Sequence, residues 1–129
     1  MDTTDNGSLH LTKHHGLGND FLVVFHPHLP ESELPALARR LCDRTRGVGA
    51  DGLLIGESAD GHAARMVLYN ADGSRAEMSG NGIRCFAQAL AARRGDLTSQ
   101  RILTDAGDRL VTLEATDRSD TILASVDMG

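Results

Sequence analysis

The fold is decided by the stretch Tyr69-Asn-Ala-Asp-Gly-Ser-Arg-Ala-Glu-Met-Ser79-Gly-Asn-Gly-Ile-Arg-Cys85, in which a strand end, a polar turn and a helix start follow one another. Small residues at a helix start leave backbone N–H groups without partners, and the positive end of the helix dipole lies behind them. The segment from Ser79 to Gly82 therefore predicts a receptor for an anion or a carboxylate. Ser79 holds its first position, where serine is also common as a plain helix N-cap.

Apolar residues at strand and helix spacing predict the elements on either side of this stretch. We expect strands over residues 9–13, 21–25, 53–55, 63–69, 101–104, 110–115 and 121–126, with a glycine-punctuated turn over residues 14–20. Helices are expected over residues 32–45 and 82–93, and the alanine-rich surface of the second predicts that the sheet largely encloses it. About seven strands and two helices in mixed order favour an α+β fold over a doubly wound one.

The composition indicates one domain of 129 residues with enough hydrophobic residues, 40%, to form a core. We expect this domain over residues 8–129, behind a disordered polar tail at residues 1–7 that does not resemble a signal peptide. The net charge of −5 includes no block of like charge, which argues against nucleic-acid binding. No apolar run approaches the roughly 20 residues of a membrane helix.

The cysteines and histidines predict neither a disulfide framework nor a metal site. Cys42 and Cys85 lack metal-ligand spacing, which indicates a cytoplasmic protein with reduced, structural thiols; we expect Cys85 to pack as a small buried hydrophobe. No cluster of carboxylates accompanies His14 and His15, so we expect structural roles for them at a strand end. The chain stops at Gly129 directly after a predicted strand, and we expect a cut at a domain boundary.

Three ordered motifs resemble the signatures of the N-terminal half of diaminopimelate epimerase. They are His15-Gly-Leu-Gly-Asn-Asp-Phe21, Gly47-Val-Gly-Ala-Asp-Gly52, and Asn70-Ala-Asp-Gly-Ser74 with Gly80-Asn-Gly-Ile-Arg-Cys85. The resemblance, from about residue 9 to residue 129, implies an isomerase that interconverts LL- and meso-2,6-diaminopimelate without a cofactor. It also implies two similar domains, each a mixed β-sheet curled around a central α-helix, with the active site in the cleft between them. The C-terminal domain would complete that cleft.

The same resemblance implies roles for individual residues. Asn19 and Asn70 match the asparagines that hold the substrate, and the backbone N–H groups of Gly80 and Asn81 match those that receive the reacting carboxylate. Ser79 stands where the family has one of its two catalytic cysteines, a thiolate and a thiol on opposite faces of the α-carbon. A serine hydroxyl is a far weaker acid than a thiol, so two-thiol chemistry is not expected of this chain alone.

Other interpretations of these residues stay open at this stage. Asn19 and Asn70 also fit ordinary turn positions, and local hydrogen bonding would explain Asp51 and Asp72. The chain as a whole also fits a non-catalytic domain that binds an amino acid or a protein, or a sister racemase for another amino acid. An apolar face left by an absent domain would favour self-association, including a homodimer.

Overall fold

The computed structural model describes residues 9–16, 18–118 and 121–127, so the tail expected at residues 1–7 lies outside the described residues. Its strands are β1 (Leu11–Gly16), β2 (Asn19–Phe25), β3 (Gly52–Glu57), β4 (Ala64–Asn70), β5 (Arg75–Ala76), β6 (Gln100–Thr104), β7 (Gly107–Ala115) and β8 (Ile122–Asp127). Its helices are a 3-10 turn (Glu31–Glu33), α1 (Leu34–Cys42) and α2 (Gly80–Arg94). In this part of the chain no helix is long and apolar enough to cross a bilayer.

The strands form one mixed sheet in the order β1-β2-β3-β4-β6-β7-β8, with β5 paired to β4. The β2–β3 and β4–β6 pairs are parallel, and the other pairs are antiparallel. Helix α2 packs against β1 and β8, the two end strands, as well as against β2, β3 and β4. The sheet must therefore curl around α2, which confirms the predicted α+β fold with a central helix.

The middle strands of the sheet are buried on both faces. Phe21 and Val23 of β2 belong to the core around α2, whereas Leu22 and Val24 belong to the core under α1. Successive side chains of a strand point to opposite faces, so a continuous apolar run supplies both cores at once. This explains why residues 21–25 carry no polar alternation.

Helix α2 confirms the predicted enclosure, because its buried residues lie on several sides of the helix: Gly82, Ile83, Cys85, Phe86, Ala87, Ala89, Leu90 and Ala91. It begins at Gly80, two residues before the expected start, because Ser79 caps it with extended backbone. Gly95 ends it in the left-handed conformation with φ 78°, and its N–H donates to the carbonyl of Ala91.

Other sequence-based boundaries are also wrong, among them those of the first turn and of the first helix. Most of the turn expected over residues 14–20 is strand, because β1 and β2 pair in continuous register from Leu11 with Val24 to Gly16 with Asn19. The first helix ends at Cys42 and not at residue 45. The Asp43 backbone is extended, and its carboxylate accepts the N–H groups of Thr45 and Arg46, which competes with further helical bonds.

Candidate functional site

The start of α2 presents backbone donors that the helix itself does not use. The N–H of Gly82 donates to Ser79 Oγ at 3.0 Å, and the N–H of Ile83 donates to the Ser79 carbonyl at 2.9 Å. The remaining donors of the first turn are the N–H groups of Gly80 and Asn81, which precede the first helical hydrogen bond. Ser79 is therefore an N-cap, and its cap leaves these two donors without a partner inside the helix.

Strand pairing brings the three motifs to one end of the sheet. Asn19 begins β2, Asp51 directly precedes β3, and Asn70 ends β4. Because β2 runs parallel and β4 antiparallel to β3, Phe21, Gly52 and Asn70 lie side by side across the three strands. Asn70 donates its side-chain amide to Ser74 Oγ at 3.0 Å, within its own turn.

The start of α2 is tied to this end of the sheet by side-chain amides. Asn81 Nδ2 donates to Asn19 Oδ1 at 2.8 Å, and Asn19 Nδ2 donates to Asp51 Oδ2 at 3.2 Å. On the helix side, Arg84 Nη1 donates to Asn81 Oδ1 at 3.2 Å. The structure thus brings Asn19, Gly80, Asn81 and Ser79 together, with Asn70 at the same end of the sheet.

The Asp20 carboxylate ties the start of β2 to the loop between α1 and β3. Asp20 accepts from both guanidinium nitrogens of Arg44, at 3.1 and 2.8 Å, and lies 3.4 Å from Lys13 Nζ. Arg44 also donates to Asp51 at 3.2 Å, and the Asp51 N–H donates to Asp20 Oδ1 at 3.0 Å. The hydrogen bond from Arg44 holds the pKa of Asp20 well below its usual range.

This arrangement corrects one sequence-based interpretation. Local hydrogen bonding was expected to explain Asp51, but its carboxylate accepts from the Asn19 side chain and the Asp20 backbone, more than thirty positions away in the chain. The expectation is confirmed for Asp72, whose carboxylate accepts from the N–H and hydroxyl of Ser74 at 2.9 and 2.6 Å. Sequence reasoning also missed Arg44 and Arg84, although Arg84 lies inside one of the three motifs.

The two cysteines are buried, as expected. Burial raises the pKa of the Cys85 thiol to about 11, and burial also raises the pKa of Cys42. Cys85 packs in the core around α2, as a small buried hydrophobe would.

His14 is bonded to neighbouring side chains. It lies in β1, and its ring bonds Gln88 at 3.0 Å and Thr12 at 2.8 Å. The structural role expected for His14 and His15 stays a prediction. In the described ranges no group of three or more His, Cys, Asp or Glu residues could hold a metal ion.

Comparison with known sequences identifies close relatives of the chain. A sequence model of the family described as diaminopimelate epimerase matches residues 11–129. A diaminopimelate epimerase from Halothermothrix orenii is 46% identical over 128 residues, covering 94% of this chain and 43% of that protein. One from Synechococcus elongatus is 43% identical, with 95% and 43% covered. The chain therefore spans less than half the length of these curated relatives.

Comparison with solved structures supports the fold alone, because the identities are low. A hydroxyproline epimerase from Agrobacterium vitis with bound trans-4-hydroxy-L-proline matches with a TM-score of 0.67 at 17% identity, over 84% of this chain and 38% of that one. A PhzF-family phenazine biosynthesis protein from Bacillus anthracis matches with a TM-score of 0.64 at 21% identity, over 84% and 36%.

Proposed function

Because the chain belongs to the diaminopimelate epimerase family, we propose that it is one domain of an enzyme that interconverts LL- and meso-2,6-diaminopimelate, acting without a cofactor in lysine and peptidoglycan biosynthesis. The observation that carries this proposal is the meeting of the three motifs at the start of α2. At this point Asn19 of β2 meets Asn81 of α2, from a segment far away in the chain, and the free N–H groups of Gly80 and Asn81 lie at the same helix start.

The chemistry of this reaction explains why such a helix start is useful. Removing the α-proton of an amino acid places negative charge that spreads into its carboxylate. Backbone N–H groups already aimed at that carboxylate stabilise the charge without reorganising, as does the positive end of the α2 dipole. We therefore assign the reacting carboxylate to Gly80 and Asn81, and the remaining polar contacts of the substrate to Asn19 and Asn70.

Ser79 stands at the position where a proton would move to or from the α-carbon. Its hydroxyl already accepts from the Gly82 N–H, and no thiolate is available at this position. A serine hydroxyl is too weak an acid to serve as the base without an activating group. We therefore propose that this chain binds the reacting end of the substrate but does not epimerise it alone, and that a second domain completes the cleft.

Binding by the isolated chain tests the first half of this proposal. Titration of ¹⁵N-labelled protein with LL-diaminopimelate is expected to move the backbone resonances of Gly80 and Asn81 together with the side-chain resonances of Asn19. L-Lysine, which lacks the second amino-acid end, is a useful comparison ligand. If diaminopimelate at millimolar concentration leaves these resonances in place, the proposed site is wrong.

Exchange of the α-proton tests the second half. The unmodified chain in deuterated water is expected to incorporate no α-deuterium into diaminopimelate at enzyme-like rates. The Ser79→Cys variant, joined to the part of the Halothermothrix orenii relative that this chain does not cover, is expected to incorporate it. Deuterium uptake by the isolated chain would contradict the need for a second domain.

Ser79 also favours a second candidate, a non-catalytic domain that binds an amino acid, because the thiol that the family uses is replaced by a capping hydroxyl. Ligand binding without activity in the joined Ser79→Cys protein would decide for this candidate.

The cytoplasmic location and a homodimer are further parts of the proposal. Light scattering of the purified chain tests the dimer.

A further inference from the structure

The side chains at the start of α2 form a hydrogen-bonded chain with one direction throughout. Arg84 donates to Asn81, Asn81 donates to Asn19, and Asn19 donates to Asp51. Each link joins one amide oxygen or carboxylate to one N–H group, at 3.2, 2.8 and 3.2 Å. The chain therefore connects a cation on the helix to a carboxylate on the sheet through two amides.

The chemistry of the two ends determines that direction. An ionised carboxylate only accepts hydrogen bonds, and a guanidinium only donates them, whereas an asparagine amide can do either by turning over. With Asp51 at one end, Asn19 must present its NH₂ group there and its oxygen to Asn81. With Arg84 at the other end, Asn81 must present its oxygen to Arg84. If either amide turned over, two donors or two acceptors would face each other.

Asp51 itself is held in place from the other side. Arg44 donates to its second oxygen, and the Asp20 backbone N–H shares the oxygen that Asn19 uses, at 3.0 Å. Three donors, two from neighbouring residues of β2 and one from Arg44 after α1, therefore fix the carboxylate. A carboxylate fixed in this way orients the amide beside it more strictly than a freely rotating one.

We propose that Asp51 and Arg84 are positioning residues that hold the Asn19 and Asn81 amides in a single orientation. This inference rests on the proposed function of the site. In that orientation Asn19 donates one N–H to Asp51 and accepts from Asn81 with one oxygen lone pair, so one N–H and one lone pair of the Asn19 amide remain unused. The remaining N–H can donate to the carboxylate of an amino acid, and the remaining lone pair can accept from its ammonium group.

Side-chain amide resonances of the whole chain test the orientation without any ligand. In the unmodified protein the NH₂ groups of Asn19 and Asn81 are expected to give one restrained signal pair each. Asp51→Asn and Arg84→Gln are nearly the same size as the native residues or smaller and can donate as well as accept, but in each single variant the other end still sets the direction. Both amides are therefore expected to show two orientations or increased mobility only in the double variant Asp51→Asn/Arg84→Gln. Asp72→Asn, a matched change in a turn that bonds Ser74, is expected to leave both pairs unchanged.

Variants at the other end test the same inference. Arg84→Lys keeps a group that only donates, so Asp51→Asn/Arg84→Lys is expected to preserve both signal pairs, whereas Asp51→Asn/Arg84→Gln is expected to release them. A merely structural role for the side chain would not separate lysine from glutamine in this way. Asn19 and Asn81 signals that stay restrained in Asp51→Asn/Arg84→Gln would overturn the proposal.

A titration with LL-diaminopimelate links orientation to the site. If both amides occupy two orientations equally, about half of the molecules keep both correct when the amides turn over together and about a quarter when they turn over independently. The apparent Kd is therefore expected to rise about two- to fourfold in Asp51→Asn/Arg84→Gln. An unchanged Kd despite released amides would overturn the positioning role. Absence of binding by the unmodified protein would instead count against the proposed function, and the ligand-free signals would still decide the orientation.

Discussion

Replacing Ser79 by cysteine tests whether the start of α2 stabilises negative charge. A helix N-terminus stabilises an anion by about 0.3–1 kcal/mol at a partly exposed position, and about 1.4 kcal/mol corresponds to one pH unit. The pKa of the new thiol is therefore expected to fall from about 8.5 to about 8. The native Cys85 provides the contrast, because burial raises the pKa of its thiol to about 11.

These values give a large expected difference in reactivity. At pH 7.5 roughly a quarter of the thiols in Ser79→Cys would be thiolate, against well under one in a hundred for Cys85, and the thiolate is the reactive form. Alkylation by iodoacetamide is thus expected to be at least about ten times faster at position 79, since the greater nucleophilicity of a high-pKa thiolate offsets part of the difference in thiolate fraction. Loss of the serine N-cap is expected to lower the free energy of unfolding by up to about 1 kcal/mol, so the alkylation is measured well below the unfolding temperature.

The measurement is the alkylation rate of each cysteine, resolved by mass spectrometry, between about pH 6 and 10. Ser125→Cys, an exposed position on β8 away from any helix start, serves as the matched control. The midpoint for Ser79→Cys is expected below that of the control thiol. An equal or higher midpoint would refute the view that this helix start receives a carboxylate.

Three further predictions concern stability and its dependence on pH. Asp20→Asn should unfold at a lower urea concentration than the unmodified protein at pH 7. Because the bond from Arg44 lowers the pKa of Asp20, the stabilisation by this carboxylate is present above about pH 4 and is lost as the pH falls. The difference between the two urea midpoints should therefore close in acid. His62→Gln should show the opposite pH dependence, because the bond to Asp108 raises the pKa of His62. The stabilisation by protonated His62 is full below about pH 6.5 and falls as the pH rises. The difference in thermal unfolding temperature between the variant and the unmodified protein should therefore shrink by about pH 9. Gly95→Ala should cost about 1–2 kcal/mol in urea unfolding, because alanine is strained at φ 78°; a neutral effect would contradict the left-handed C-cap.

Local physics explains why the start of α2 could be predicted so closely. The N-cap bond joins Ser79 to Gly82, three positions apart, and helix capping depends on such near neighbours. Residues 21–25 were predicted as a buried strand for a similar reason, because a continuous apolar run has few other places in a folded chain. The end of α1 was missed by three positions, because Asp43 side-chain bonds to the backbone compete with helix there.

The sequence by itself determined which residue types and which local shapes are available: the capped helix start at Ser79 and the apolar strand over residues 21–25. Only the tertiary structure decided which of them meet. The parallel pairing of β2 with β3 places Asp51 beside Asn19, 32 positions away, and the packing of α2 against the sheet places Asn81 against Asn19 across 62 positions. Such contacts depend on strand order and on the path of the intervening chain, which no local pattern specifies.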